Sequence, residues 1–138
     1  MTGSSTSTST RSPKPLAGNI LCHAMWARDG RELADFYATA LGTQVTSTYP
    51  GPQGEPAAFA FRVGGSMYLF YTSASFTAPK WPQEELPFHM DLTFTDVRAA
   101  EQRLLGMGAT KPDHQPGGTH WTILLDPSGQ PFCIHQAR

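Results

Sequence analysis

Residues 20–27 form an apolar-rich run that predicts a strand. Asp29 follows it, placed to cap a helix with its side-chain oxygen. Leu33, Phe36, Tyr37, Ala40 and Leu41 then recur at helical spacing, and Gly42 ends the run. A short strand is expected over 44–49, before the turn-forming stretch Pro50-Gly51-Pro52-Gln53-Gly54. Residues 57–63 and 67–72 predict a hairpin turned at Gly64-Gly65. After a proline-bearing linker over 74–86 the order returns. A strand is expected over 88–94, Asp96 is the next cap, and Ala100, Leu104, Leu105 and Met107 form a helical stripe closed by Gly108. A last hairpin, 120–125 with 132–136, turns at Asp126-Pro127-Ser128-Gly129.

The chain therefore reads as α+β, built from two tandem βαβββ halves of about 19–73 and 87–137. At a fixed offset of 67, Cys22 falls on His89, Met25 on Leu92, Ala27 on Phe94 and Asp29 on Asp96. Strand alternation then sorts the side chains by face. Met90, Leu92 and Phe94 are expected under the second helix, with His89, Asp91 and Thr93 on the opposite face. In the first half His23, Met25 and Ala27 should face the helix, leaving Cys22, Ala24 and Trp26 on the other side. A sheet with one helix-covered face and mixed polar and aromatic residues on the other is suited to curl around a guest.

Composition narrows the partners. The 138 residues are 39% apolar, enough for one domain core over 18–138. Ten Lys and Arg oppose eleven Asp and Glu, and the basic residues are scattered rather than striped, so no nucleic-acid partner is expected. No apolar run is long enough to span a bilayer, and no membrane partner is expected. Residues 1–17 are rich in Ser and Thr without an apolar segment, and read as a disordered tail rather than a secretory signal. Two cysteines make no disulfide framework, which favours a reducing, cytoplasmic setting.

The stretch FHMDLTFTDVRAAEQRLLGMGATKPDHQPGGTHWTILLDPSGQPFCIHQ resembles the C-terminal half of a glyoxalase-like domain of the vicinal oxygen chelate superfamily, which includes bleomycin-resistance-type proteins. ARDGRELADFYATALG resembles the first module of the same fold. The resemblance covers about residues 19–136. It implies curved sheets around one cavity, a homodimer, and, in metal-dependent members, ligands from the first and last strand of each module. Carried over, these positions are Cys22, His89, Cys133 and, more loosely, Leu69 or a neighbour. Only His89 is a typical ligand. The carboxylates of the metalloenzymes are missing, because Glu32, Glu55, Glu84, Glu85 and Glu101 fall on helix or loop segments. Isomerisation of the glyoxalase I kind is therefore not expected, nor is a bound cofactor.

His89 admits three readings: a pocket-lining imidazole, an acid–base group in contact with ligand, or a metal ligand. Asp91 shares its face and could orient it, or serve as a structural carboxylate. His89 and Asp91 are the candidate catalytic pair. Cys22, Trp26, Tyr68, Phe70, His89, Trp121 and Cys133 are the candidate ligand contacts. Cys22 and Cys133 read first as small buried hydrophobes, although Cys22, His89 and Cys133 together would suit zinc if a fourth donor such as Asp91, His135 or water joined them. His23 reads as structural, and His114, His120 and His135 as groups that could edge a pocket mouth. The leading expectation is a small-molecule-binding protein, or a metal-independent enzyme, for an aromatic or polycyclic metabolite, with resistance by sequestration as one form. The alternatives are a metal-dependent lyase, isomerase or dioxygenase using His89, and a structural dimer module whose cavity is filled by side chains.

Overall fold

The computed structural model describes residues 14–138. The expected tail therefore lies, over residues 1–13, outside the described residues. The elements run in chain order as β1 (His23–Ala27), α1 (Gly30–Ala40), β2 (Ser47–Pro50), β3 (Pro56–Val63), β4 (Ser66–Thr72), β5 (Asp91–Phe94), α2 (Val97–Gly106), β6 (Thr122–Leu125) and β7 (Pro131–Gln136). This is the expected α+β alternation, and both helices start where their caps predict. Asp29 accepts from the backbone N–H of Glu32 at 3.0 Å, and Asp96 from that of Ala99 at 3.1 Å.

Two mixed sheets result, ordered β1-β4-β3-β2 and β5-β7-β6. In each, the strand before the helix pairs in parallel with the last strand of its half, and the remaining pairs are antiparallel. β1 and β5 begin later than the apolar runs suggest. In the parallel register Ile20 would lie level with Gly65, where the partner of β1 is already turning through Gly64 and Gly65, both with positive φ. Past Asp91↔Cys133, His89 would lie level with Pro131, which has no N–H to donate. The second half also departs from a full βαβββ unit. Among the described residues its missing strand is a single bridge between Thr110 and Leu125. Residues 111–118 carry Pro112, Pro116, Gly117 and Gly118, a composition that sustains no ladder. Instead the Gln115 side chain imitates a strand partner. Its amide donates to the Ile123 carbonyl at 2.8 Å, and its oxygen accepts from the Ile123 N–H at 2.9 Å.

One core joins the halves. Leu33, Phe36 and Tyr37 of α1 are buried with Phe61 and Phe70 of the first sheet and with Leu92, Leu104, Phe132 and Ile134 of the second half. Tyr37 stacks on Phe70 and meets Phe132 edge-on, at centroid distances of 5.8 and 5.6 Å. Its hydroxyl donates to buried Asp126 at 2.6 Å. The other Asp126 oxygen accepts from the Ser128 N–H and hydroxyl and from the Gln130 N–H, which holds the β6–β7 turn. α1 can lie this close to β4 because its first residue is Gly30. A Cβ there would sit 2.8 Å from the backbone of Tyr71 and Thr72.

The register settles the faces. Met25 and Phe70 are partners under α1, and Tyr68 packs on the same core. Ala24 pairs with Leu69, and Trp26 with Tyr71, on the open face. The expectation that Tyr68 and Phe70 line the cavity is thereby corrected, since both face the helix side and Phe70 is fully buried. Leu69 and Tyr71 occupy the open positions, and Tyr71 stacks on Trp26 at 5.2 Å.

Candidate functional site

The open face of the second sheet carries the chemistry. Asp91 on β5 is level with Cys133 on β7, and Cys133 with Ile123 on β6. Two residues along, His135 shares the face of Cys133. A cleft of about 600 Å³ lies over these positions, lined also by His89, Pro131, Pro116, Trp121 and, from the linker, Trp81, Glu85 and Leu86.

Asp91 organises the cluster. One carboxylate oxygen lies 2.8 Å from Nε2 of His135, and the other 3.2 Å from Nε2 of His89. Partial burial pushes the Asp91 carboxyl upward. The hydrogen bond with His135, the charge of His89, the Cys133 contact and the charge of His135 outweigh it, and the net shift is below the ordinary value. An ionised carboxylate only accepts, so Nε2 of His135 carries the shared hydrogen, while Nε2 of His89 faces the second oxygen at ion-pair distance. In a neutral imidazole this leaves Nδ1 as a proton acceptor. Cys133 is buried, and desolvation followed by the Asp91 charge and hydrogen bond raises its thiol to about 11. Without a metal it is a thiol rather than a nucleophile at neutral pH.

The aromatic wall is held from behind. The Trp121 ring stacks on His135 at 6.2 Å and packs over Gly117, where a Cβ would come within 2.5 Å of the indole. Trp81 meets His114 edge-on at 5.2 Å. A second cleft of about 400 Å³, between the halves, shares Leu86, His89 and Pro131 with the first, and adds Trp26, Phe76, Phe88 and Met90.

Of the residues expected at the site, His89, Asp91, Trp121 and Cys133 come together, and Trp26 lines the adjoining cleft. Cys22 takes the open face as expected but packs with Ala58, Ala60 and Leu69 on the first sheet, away from His89 and Cys133. The single cavity gathering all three is therefore not found. His23 stacks on Tyr68 at 5.1 Å, on the helix side as expected. The residues not foreseen as central are His135 and Glu85. His135 had a signal in its spacing of two from Cys133, whereas Glu85, on the linker, had none.

His89, Asp91 and Cys133 each offer one ligand atom, and these atoms all lie within 4.8 Å of one another. An imidazole, a carboxylate and a thiolate suit zinc, whose charge would also favour loss of the thiol proton. The chemistry of the set fits a metal, although the set belongs to one half of the chain rather than to four positions in two.

The paired parallel-ended sheets, the capped helices at a fixed offset and a polar cluster on the open face define a two-module α+β fold of the vicinal oxygen chelate superfamily. The glyoxalase-like domain matches residues 21–135, and the chain belongs to that family. No protein of curated function matches it. Solved structures of the same fold include a glyoxalase family protein from Enterococcus faecalis, at 21% identity and a TM-score of 0.62, over 85% of this chain and 96% of that one. A genomically encoded fosfomycin resistance protein from Listeria monocytogenes is similar at 11% identity and a TM-score of 0.63, over 89% and 94%. A glyoxalase/bleomycin resistance protein/dioxygenase family enzyme from Burkholderia phytofirmans PsJN gives 19% identity and a TM-score of 0.60, over 86% and 98%. Among the described residues no helix is long and apolar enough to cross a membrane.

Proposed function

We propose that the protein binds a planar aromatic or polycyclic metabolite on the open face of its second sheet, either to sequester it or to act on it without a metal. The observation that carries this reading is the cleft itself: flat indole surfaces from Trp81 and Trp121 beside the joined His89, Asp91 and His135. Such a site pairs an apolar body with a few polar groups that orient a guest. Burial of ~200 Å² of ligand apolar surface would contribute about 5 kcal/mol before association costs, which fits micromolar affinity. In an enzymatic form, Nδ1 of His89 or His135 would accept a proton, with Asp91 holding the ring and stabilising the imidazolium. Saturable quenching of tryptophan fluorescence by flat aromatic compounds, lost in Trp121→Ala, is the expected result. Unchanged fluorescence and melting temperature across a broad aromatic set would refute it.

We also propose a homodimer. Ile20, Leu21, Trp26 and Phe88 are exposed, an apolar surface that a second copy would cover. Light scattering at micromolar concentration should give twice the chain mass, and a monomer would overturn the assignment.

The alternative reading, favoured by the closeness of the three donors, is a zinc-dependent member of the superfamily. His89, Asp91 and Cys133 would hold the ion, which would supply Lewis acidity when bound. Elemental analysis near one zinc per chain, lost in His89→Ala, would favour this reading over the metal-free one.

A further inference from the structure

We infer that the guest is a cation: a flat aromatic ring carrying a positive nitrogen. The inference rests on the aromatic-binding reading above and goes further, to the sign of the charge. Two carboxylates, Asp91 and Glu85, line the main cleft, and among the described residues it has neither lysine nor arginine. The adjoining cleft adds no charged side chain beyond the shared His89. The two imidazoles contribute positive charge only when protonated, and both already point Nε2 at Asp91. Glu85 makes no ion pair with any described residue, so its charge is available to a guest.

The walls favour the same sign. Indole faces present the negative side of their quadrupole, and tryptophan is the strongest partner for a cation laid over an aromatic ring. A planar cation laid against the indole surface that lines the cleft gains that attraction together with the nearby carboxylates. An anion of the same shape meets two like charges and no counter-charge in a partly desolvated space. A neutral ring keeps the stacking and gains nothing from Glu85.

Three probes of one shape test this at pH 8: N-methylacridinium as the cation, acridine as the neutral ring and acridine-9-carboxylate as the anion. Tryptophan quenching should rank them cation, neutral, anion, with the cation about tenfold tighter than acridine. The gap should shrink when salt rises from about 0.02 M to about 0.3 M, as screening requires. Glu85→Gln should weaken the cation about threefold and leave acridine unchanged. Glu85→Lys, at an exposed loop position, should weaken the cation about tenfold and tighten the anion, narrowing the gap between them. Equal binding of all three, or tightest binding of the anion, overturns the charge assignment and leaves the aromatic reading standing. An unchanged gap between cation and anion in Glu85→Lys also overturns it. Absence of binding by all three refutes the aromatic reading, and this inference with it.

Discussion

Removing one oxygen atom, in Tyr37→Phe, tests how the two halves are held together. The hydroxyl of Tyr37 on α1 reaches Asp126 in the β6–β7 turn at 2.6 Å, and both residues are buried. Phenylalanine keeps the ring contacts with Phe70 and Phe132, so the change isolates the hydrogen bond. The other Asp126 oxygen retains Ser128 and Gln130, whereas Oδ2 loses its hydroxyl partner. A buried bond to a carboxylate left without its donor costs about 1.5–3 kcal/mol. With an unfolding entropy of about 2.1 cal/mol/K per residue over about 125 described residues, each kcal/mol moves Tm by roughly 4 °C, so a fall of roughly 6–12 °C is expected. The loss should also depend on pH. Burial raises the Asp126 carboxyl, against the lowering effects of Ser128, Tyr37 and Gln130, so the folded state favours the proton and stability falls as pH rises through the raised value. Without Tyr37 that value climbs further, and the variant should lose more at pH 8 than at pH 5. Calorimetry or urea melts at the two pH values provide the measurement. A Tm within about 1 °C of the parent at pH 8 would refute this account of the junction.

Four further outcomes follow from the site. In metal-free protein Cys133 should react with iodoacetamide at pH 8 roughly a hundredfold more slowly than a free cysteine, because its thiol sits at about 11; alkylation at the free rate would contradict this. The same raised value favours the folded state below the ordinary thiol pKa, a contribution lost as pH climbs toward 11, so Cys133→Ser should flatten the alkaline limb of a stability profile. Asp91→Asn should flatten the acid limb instead, since a lowered carboxylate stabilises the fold above its ordinary value and loses that effect as pH falls through the folded one. Gly117→Ala should displace the Trp121 indole, weaken aromatic quenching several-fold and lower Tm, because the added methyl also meets the Trp121 backbone carbonyl at 2.6 Å, and unaltered quenching would show that this ring does not form the wall.

The legible parts of the sequence were those with a local physical signal. Asp29 and Asp96 announce helix starts because a cap needs one residue at one place, and both make the predicted bond. Asp91 stood out because a charge between Met90 and Leu92 has only one face available to it. β4 gave no such signal. Met67 to Tyr71 is apolar throughout, so nothing in its pattern says which alternate set faces α1. Only the pairing Ala24↔Leu69 decides, and it placed Tyr68 and Phe70 in the core. The linker was opaque for a different reason. Glu85 reaches the cleft through the path of an irregular segment, which carries no periodicity to read. Gln115 acts through its side chain in place of a strand, and no pattern of backbone propensities anticipates that.

The position of α1 between the sheets has a consequence for how the repeat can exist. A duplicated sequence suggests two pieces able to stand alone, yet Phe36 and Tyr37 are covered from the second half by Phe132 and the Asp126 turn. The second half leaves its own helix thinly anchored, with Leu104 its one fully buried residue. Cutting the chain in the linker would therefore strand an aromatic helix face on one fragment and a shallow layer on the other. Neither fragment should melt cooperatively alone, and mixing the two should restore one transition.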